Sequence, residues 1–333
     1  MSPAVRPLVQ HGATRPKGAL PLAGSESLWF THAEILDRTA PPRLVPASEL
    51  PADLLENLTA PRKDLMGLDM SVPQLMGILN VTPDSFSDGG VHFDPGTARN
   101  AALSMIRAGA TIIDIGGEST RPGADTIDCE VETIRTAPVI AALRQETDLP
   151  ISIDTRKSTV ARAALDAGAS LVNDVAGFTY DPDLAPLCAA AGVPVCIMHA
   201  LGDPATMQQN PHYDDVVLDV FAYLQTRVAS LSAIGIPRDR MVIDPGIGFG
   251  KTEAHNLALL RNLSLFHGLG CPILLGVSRK RFIGTIGQAP DPATRAPGSI
   301  AVGLAALAQG VQILRVHDVD DTAQALRLWA AAR

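Results

Sequence analysis

The 333-residue chain is poor in aromatic residues, at 4%, and holds only four cysteines, Cys129, Cys188, Cys196 and Cys271. None forms a CxxC pair, so neither a zinc knuckle nor a disulfide framework is indicated. Positive charge is in deficit: 27 Lys and Arg against 35 Asp and Glu leave a net −8. A non-specific nucleic-acid binder needs a basic face and is therefore disfavoured. No apolar run approaches the ~18 residues of a membrane span; Ile300–Ala308 is the longest obvious candidate and stops at Gln309. The opening residues Met1 to Pro7 lack an apolar signal core. The histidines show no HxH or HxxxH spacing, which leaves hydrolysis through a histidine-bound metal unsupported. Hydrophobic residues at 46% and charged residues at 19% exclude wholesale disorder. The expectation is a soluble cytoplasmic protein acting on small molecules, without nucleic-acid or membrane partners.

What is present divides into two textures. Residues 1–70 are punctuated by prolines 3, 7, 16, 21, 41, 42, 46, 51 and 61, and only short patches such as Ser27–Leu36 suit strand or helix. This stretch reads as an appended layer or wrap with no assigned function. The segment 71–333 alternates short apolar runs with alanine-rich amphipathic stretches. Gly109, Gly168, Gly192 and Gly310 each follow a helix-like segment and precede an apolar run, the usual place for a helix-stopping glycine. Strands are expected at 75–80, 111–116, 150–154, 170–174, 193–198, 241–245, 272–277 and 311–316. Helices are expected near 95–108, 130–146, 157–167, 182–191, 213–234, 254–266, 298–309 and 319–331. Near-continuously apolar strands suit a parallel sheet covered by helices. Eight βα units over ~250 residues favour a closed (β/α)8 TIM barrel, with an open doubly wound sheet as the alternative. Function is then expected in the loops after the strands.

Those strand ends carry unusual chemistry. Strand one runs through Asn80 into a polar loop ending Gly89-Gly90. Asn80 is either an oxygen ligand for a hard cation beside phosphate or a cap in a βα turn. Strand two leads into Gly116-Gly117-Glu118-Ser119-Thr120-Arg121-Pro122-Gly123, a composition suited to a loop that closes over an anion. Strands three, four and six deliver Asp154, Asn173 and Asp244 as their apolar residues give out. Each alone reads as a helix cap; three converging in a barrel suit the amino-pyrimidine edge of a nitrogen heterocycle. Strands seven and eight end in Ser278-Arg279-Lys280-Arg281 and Arg315-Val316-His317-Asp318. Arg315 and His317 are two apart and share a strand face. With Lys280 they form a candidate phosphate or pyrophosphate site, where this barrel commonly places one. Gly246-Ile247-Gly248-Phe249-Gly250-Lys251-Thr252 imitates a Walker loop, but Pro245 stands where its first glycine must be, so an ATPase is rejected. His199 reads as a packed residue of the barrel rim.

Taken in order, these strings resemble the dihydropteroate synthase family over roughly residues 74–331. Ile78 to Gly90, Gly117 to Gly123, Ile153-Asp154-Thr155, Asn173-Asp174, Met198-His199, Asp244 to Lys251, Ser278-Arg279-Lys280 and Arg315 to Asp318 agree with its motifs in order and spacing. The resemblance implies a TIM barrel that joins p-aminobenzoate to 6-hydroxymethyl-7,8-dihydropterin diphosphate in folate biosynthesis. It further implies that Asp154, Asn173, Asp244 and Lys280 hold the pterin, and that Thr120 contacts this substrate. Arg315 and His317 would grip the diphosphate, with Asn80 acting through Mg²⁺. Arg121, Pro122, Phe249 and Lys280 would border the p-aminobenzoate site, and Asp154, Lys280, Arg315 and His317 would carry catalysis. Arg281 stands where many members have serine, which puts the response to sulfonamides in question. A homodimer through the helices at 298–309 and 319–331 is implied as well. A pterin-binding methyltransferase shares the Asp and Asn pattern but has no use for a diphosphate site. A non-catalytic pterin binder would have no need of intact loops one and two.

Overall fold

The computed structural model describes residues 3–12, 14–82, 94–119, 125–202 and 206–332. Eight parallel strands form its centre: β7 (Gln74–Asn80), β8 (Ile112–Gly116), β9 (Ile151–Asp154), β10 (Leu171–Asp174), β11 (Val195–Met198), β12 (Met241–Asp244), β13 (Leu274–Leu275) and β14 (Ile313–Val316). They pair in the order β12-β11-β10-β9-β8-β7-β14-β13. One bridge between Ile243 and Ile273 joins the two outer strands and closes the barrel. The open-sheet alternative is thereby excluded. The helices between strands are α2 (Pro95–Ala108), α3 (Cys129–Arg144), α4 (Ser158–Asp166), α5 (Leu184–Ala191), α6 (Val216–Ala233), α7 (Glu253–Arg261), α9 (Ala296–Leu307) and α10 (Val319–Ala331). The short α8 (Arg281–Ile286), after β13, was not foreseen from the sequence. The expected helix at 254–266 ends at Arg261 and gives way to a 3-10 turn over Leu263–Leu269.

Local chemistry sets the boundaries. The Asp94 carboxylate accepts from the backbone N–H groups of Gly96 and Thr97 and starts α2, with Pro95 at the first helical position. Gly109, Gly168, Gly192 and Gly310 all take positive φ at the helix stops where the sequence placed them.

Alternation along the strands builds two cores. Outward residues such as Leu75, Ile113, Ile153, Val172, Ile197, Ile243 and Leu275 pack under the helices. Inward residues Met76, Ile112, Leu171, Cys196, Val242, Leu274 and Ile313 form a separate apolar floor inside the barrel. Leu65 and Met70, from the chain just before β7, complete that floor from below. Two residues further along β8, β10, β12 and β14 the inward side chains become polar, at Asp114, Asn173, Asp244 and Arg315, and β9 adds Asp154.

The first 60 residues are more regular than their prolines suggest. Two antiparallel three-stranded sheets form, one of β1 (Ala4–Pro7), β5 (His32–Leu36) and β6 (Arg43–Pro46). The other holds β2 (Gln10–His11), β3 (Leu20–Pro21) and β4 (Leu28–Phe30). With α1 (Ala52–Thr59) they share a core of Val5, Leu22, Phe30, Leu54 and Leu58. Of these strands, β4 and β5 fall within the Ser27–Leu36 patch that suits strand or helix; the others, of two to four residues, show too little alternation to be read in advance. This layer is bound to the 3-10 turn of the barrel: Ser264 Oγ donates to the Pro7 carbonyl at 3.0 Å and Asn57 Nδ2 to that of Gly268 at 3.1 Å. No helix among the described residues is long and apolar enough to cross a membrane.

Candidate active site

The polar layer lies directly above the apolar floor, at the carboxyl ends of the strands. Register puts Asp154 beside both Gly116 and Asn173. Asp244, at the end of β12, points to the same interior because Val242, two residues before it, belongs to the floor. Asp154, Asn173 and Asp244 are all nearly buried. The convergence expected of these three is thus observed. Asp174, next to Asn173, turns outward instead, and its carboxylate accepts from Ala176 N at 2.7 Å and Phe178 N at 2.6 Å.

Arg315 enters this layer from β14. Its Nε donates to Asp114 Oδ2 at 2.5 Å and its second guanidinium nitrogen to Asp154 Oδ2 at 2.7 Å. Asn173 Nδ2 lies 3.3 Å from the same Asp114 oxygen. Sequence reasoning left Asp114 out of the site, although a carboxylate inside Ile112-Ile113-Asp114-Ile115 was a signal that it faces the barrel interior. The remaining oxygens, Asp114 Oδ1 and Asp154 Oδ1, are buried without a hydrogen-bond partner among the described residues. Two unsatisfied carboxylate oxygens in a concave layer are costly unless a ligand supplies donors.

Burial raises the Asp154 carboxyl to about 7; Arg315 pulls it down, and Asp114 pushes it further up. Burial also opposes the Arg315 charge, but Asp114 and Asp154 outweigh it and hold that group above its ordinary value. Asp244 is raised by burial against the pull of the Gly246 N–H and Lys280.

The rest of the site comes from the loops after β12 and β13. Lys280 Nζ sits 4.1 Å over the centre of the Phe249 ring, so the two residues expected to border one pocket are in contact. Burial lowers Lys280 to about 8, with Asp244 opposing and Arg315 assisting. His317 stands one residue past β14, and its Nδ1 lies 3.0 Å from Ser278 Oγ. Asn80, half-buried, closes β7 beside Gly116. Arg281 opens α8 and is exposed. Thr120, Arg121 and Pro122, and most of the polar loop after Asn80, lie outside the described residues.

The loop carrying Phe249 is fixed by two residues that the sequence reading passed over. Gly246 has a φ of +68°, and a Cβ there would fall 1.9 Å from the His199 carbonyl oxygen. Only glycine fits. Lys251 Nζ, fully enclosed, reaches His199 Nδ1 at 2.8 Å and the carbonyls of Gly246 at 2.8 Å and Phe249 at 3.0 Å. His199 is held neutral: burial and Lys251 lower it to about 2. Its ring packs edge-on against Tyr223, so it is a packed residue, as read from the sequence.

Among the described residues no group of three His, Cys, Asp or Glu is placed to hold a metal. Asn80 offers one neutral oxygen, and Arg315 holds one oxygen each of Asp114 and Asp154. This donor set fits an ion that arrives with a diphosphate, since Mg²⁺ commonly binds through one protein oxygen plus substrate phosphates.

A closed parallel barrel with a polar, ligand-seeking layer over an apolar floor defines an enzyme of the (β/α)8 class acting on a small heterocycle. Residues 76–317 match the pterin binding enzyme family, and the chain belongs to it. The dihydropteroate synthase of Escherichia coli (strain K12) is 46% identical over 264 residues, spanning 79% of this chain and 93% of that protein. The solved dihydropteroate synthase of Xanthomonas albilineans with 4-aminobenzoic acid superposes with a TM-score of 0.77 at 45% identity, covering 82% of this chain and 98% of that one. Another structure of the Xanthomonas albilineans enzyme, in complex with 7,8-dihydropteroate, gives 0.73 at 42% identity over 80% and 95% of the two chains.

Proposed function

We propose that this chain is a dihydropteroate synthase, joining p-aminobenzoate to 6-hydroxymethyl-7,8-dihydropterin diphosphate and releasing pyrophosphate. The observation that carries the reading is the buried layer of Asp154, Asn173, Asp244 and Asp114, with two carboxylate oxygens lacking donors. Ring N–H and amino groups of a pterin supply such donors in pairs.

The chemistry follows from charge. The bond between the pterin methylene carbon and the diphosphate oxygen breaks, and the electron pair leaves with pyrophosphate. Positive charge develops on the methylene and the ring, where Asp154 stabilises it electrostatically. Lys280, Arg315 and His317 face the departing anion, and Mg²⁺ held at Asn80 and on the diphosphate would add Lewis-acid neutralisation when bound. The aniline nitrogen then forms the new C–N bond and sheds a proton. An aniline is uncharged at neutral pH, so no strong base is required. In this reading Phe249 and Lys280 border the p-aminobenzoate site, Arg121 and Pro122 are assigned to it by the resemblance, and Thr120 is assigned to the pterin substrate.

The same reading includes a cytoplasmic homodimer joined through α9 and α10, where Leu328 is exposed. Sedimentation of the purified chain at twice the monomer mass supports this; a monomer at micromolar concentration discards it. For the reaction, purified protein is mixed with the pterin diphosphate, Mg²⁺ and p-aminobenzoate, and pyrophosphate release is followed. Release that depends on p-aminobenzoate supports the proposal. Methyl transfer from methyltetrahydrofolate without pyrophosphate release would instead assign a methyltransferase.

A further inference from the structure

Just past β13 the chain turns sharply: the Lys280 N–H donates to the Val277 carbonyl at 3.1 Å, with Ser278 and Arg279 at the corner. Arg279 takes a φ of +58°, whereas the φ of Ser278 is not positive. That is the pattern of a type II turn, whose third residue is ordinarily glycine because a side chain there is strained. Arginine brings something glycine lacks. Its Nε donates to Asp318 Oδ2 at 3.0 Å, and its second guanidinium nitrogen reaches Asp318 Oδ1. Asp318 stands at the N-cap of α10, where an aspartate usually accepts from the first helical turn, yet it makes no such bond. Both residues forgo a local preference for the fork between them. The backbone of the turn is held too. The Arg279 N–H donates at 2.9 Å to Ser299 Oγ, buried in the first turn of α9, and the Arg279 carbonyl accepts from Arg295 Nη1 at 3.0 Å. Ser278 Oγ accepts from the His317 N–H at 3.1 Å and lies 3.0 Å from the ring Nδ1 of the same residue.

We infer that Arg279, locked in a strained turn by Asp318, Ser299 and Arg295, is a positioning residue that fixes Lys280 relative to His317. Arg279 immediately precedes Lys280, and Asp318 immediately follows His317. The fork therefore joins the chain at one cation to the chain at the other, and its two parallel bonds set direction as well as distance. A lysine in place of Arg279 would keep the charge but offer no fork. Strained backbone persists only where its surroundings over-determine it, and such places gather at functional sites. Here the side chain, the N–H and the carbonyl of one residue are each held by a different partner. The inference deepens the proposed synthase reading, in which Lys280 and His317 face a common diphosphate. Its geometric half, the placement of Lys280 over Phe249, stands apart from that reading.

The test compares Arg279→Lys, Arg279→Ala and Arg279→Gly, with Asp318→Asn to break the fork from its other side and leave the turn residue in place. In Arg279→Lys and Asp318→Asn the kcat/KM for the pterin diphosphate is expected to fall roughly 10–100-fold, the scale of a small misplacement of a substrate-orienting group. In ligand-free protein carrying labelled lysine, the Lys280 ε-methylene protons beside the Phe249 ring should show an upfield ring-current shift in their nuclear magnetic resonance spectrum. That shift is expected to shrink in all four variants. Glycine relieves the positive φ, so Arg279→Gly should have a higher urea midpoint than Arg279→Ala, the reverse of the usual order. Neither of these two readouts needs turnover, so both judge the inference even if the wild-type protein releases no pyrophosphate. With both as expected, an inactive wild type would sink the synthase reading and leave the positioning intact. A Lys280 shift unmoved in Asp318→Asn and Arg279→Lys, or an Arg279→Ala midpoint at or above that of Arg279→Gly, overturns the assignment.

Discussion

In the proposed mechanism Asp154 is asked for a charge that its burial disfavours. It would have to stay ionised to meet a cationic pterin methylene, yet burial raises it to about 7 while Arg315 resists. In the same mechanism Lys280 would have to stay protonated beside the leaving anion, yet burial lowers it to about 8. A carboxylate needed as the anion is lost as pH falls through its pKa; an ammonium needed as the cation is lost as pH rises through its own. The kcat/KM for the pterin diphosphate is therefore expected to peak between about 7 and 8 and to fall on both sides. In Lys280→Arg the alkaline limb should disappear from the profile, because an arginine does not titrate there. Asp154→Ala and Lys280→Ala are each expected to lower turnover by at least ~10²-fold, the scale of one preorganised electrostatic contact; steady-state rates check this. At this scale most of the site was legible. Asp154, Asn173 and Asp244 interrupt apolar runs at strand ends and do converge. Asp114 was missed because it sits one rung lower, where an apolar residue on either side made it look like interior strand. Lys251 was discounted with the false Walker loop, although its spacing from Gly246 is what lets it reach that carbonyl.

The strand and helix pattern of the barrel could be read closely from periodicity and glycine stops, whereas the pieces without period could not. The 3-10 turn at Leu263–Leu269 continues an apolar stretch that a longer helix would also explain. The two N-terminal sheets use strands too short to alternate, and prolines at their ends masked them. The loop after β12 is the element on which geometry bears most heavily. Gly246→Ala would drive a methyl into the His199 carbonyl at a positive φ. Stability should fall by about 1–3 kcal/mol or more, the range of overpacking a full site. The KM for p-aminobenzoate should rise with it, since Phe249 rides on that loop. Urea titration and steady-state kinetics test the two halves of this prediction separately.

For the molecule as a whole, the N-terminal layer is a second core fastened to the first. Leu58 is fully buried in it, and α1 lies against the 3-10 turn of the barrel through Asn57. Leu58→Ala is expected to cost ~2–5 kcal/mol, seen as a lowered urea midpoint. Catalytic constants per folded molecule should not change, because none of the site residues comes from this layer. A shift in KM instead would tie the layer to the site.

The barrel's strands are zipped together by runs of paired residues everywhere except between β12 and β13, where one bridge at Ile243 and Ile273 does the work. Thermal breathing of a cylinder starts along its thinnest joint. Here that joint runs between the strand bearing Asp244 and the one leading to Lys280, across the barrel from the paired β8 and β9. Under the proposed assignment, Asp154 and Asn173 stand in the continuously paired wall while Asp244 and Lys280 flank the thin joint, so the two sides of the pterin pocket differ in stiffness.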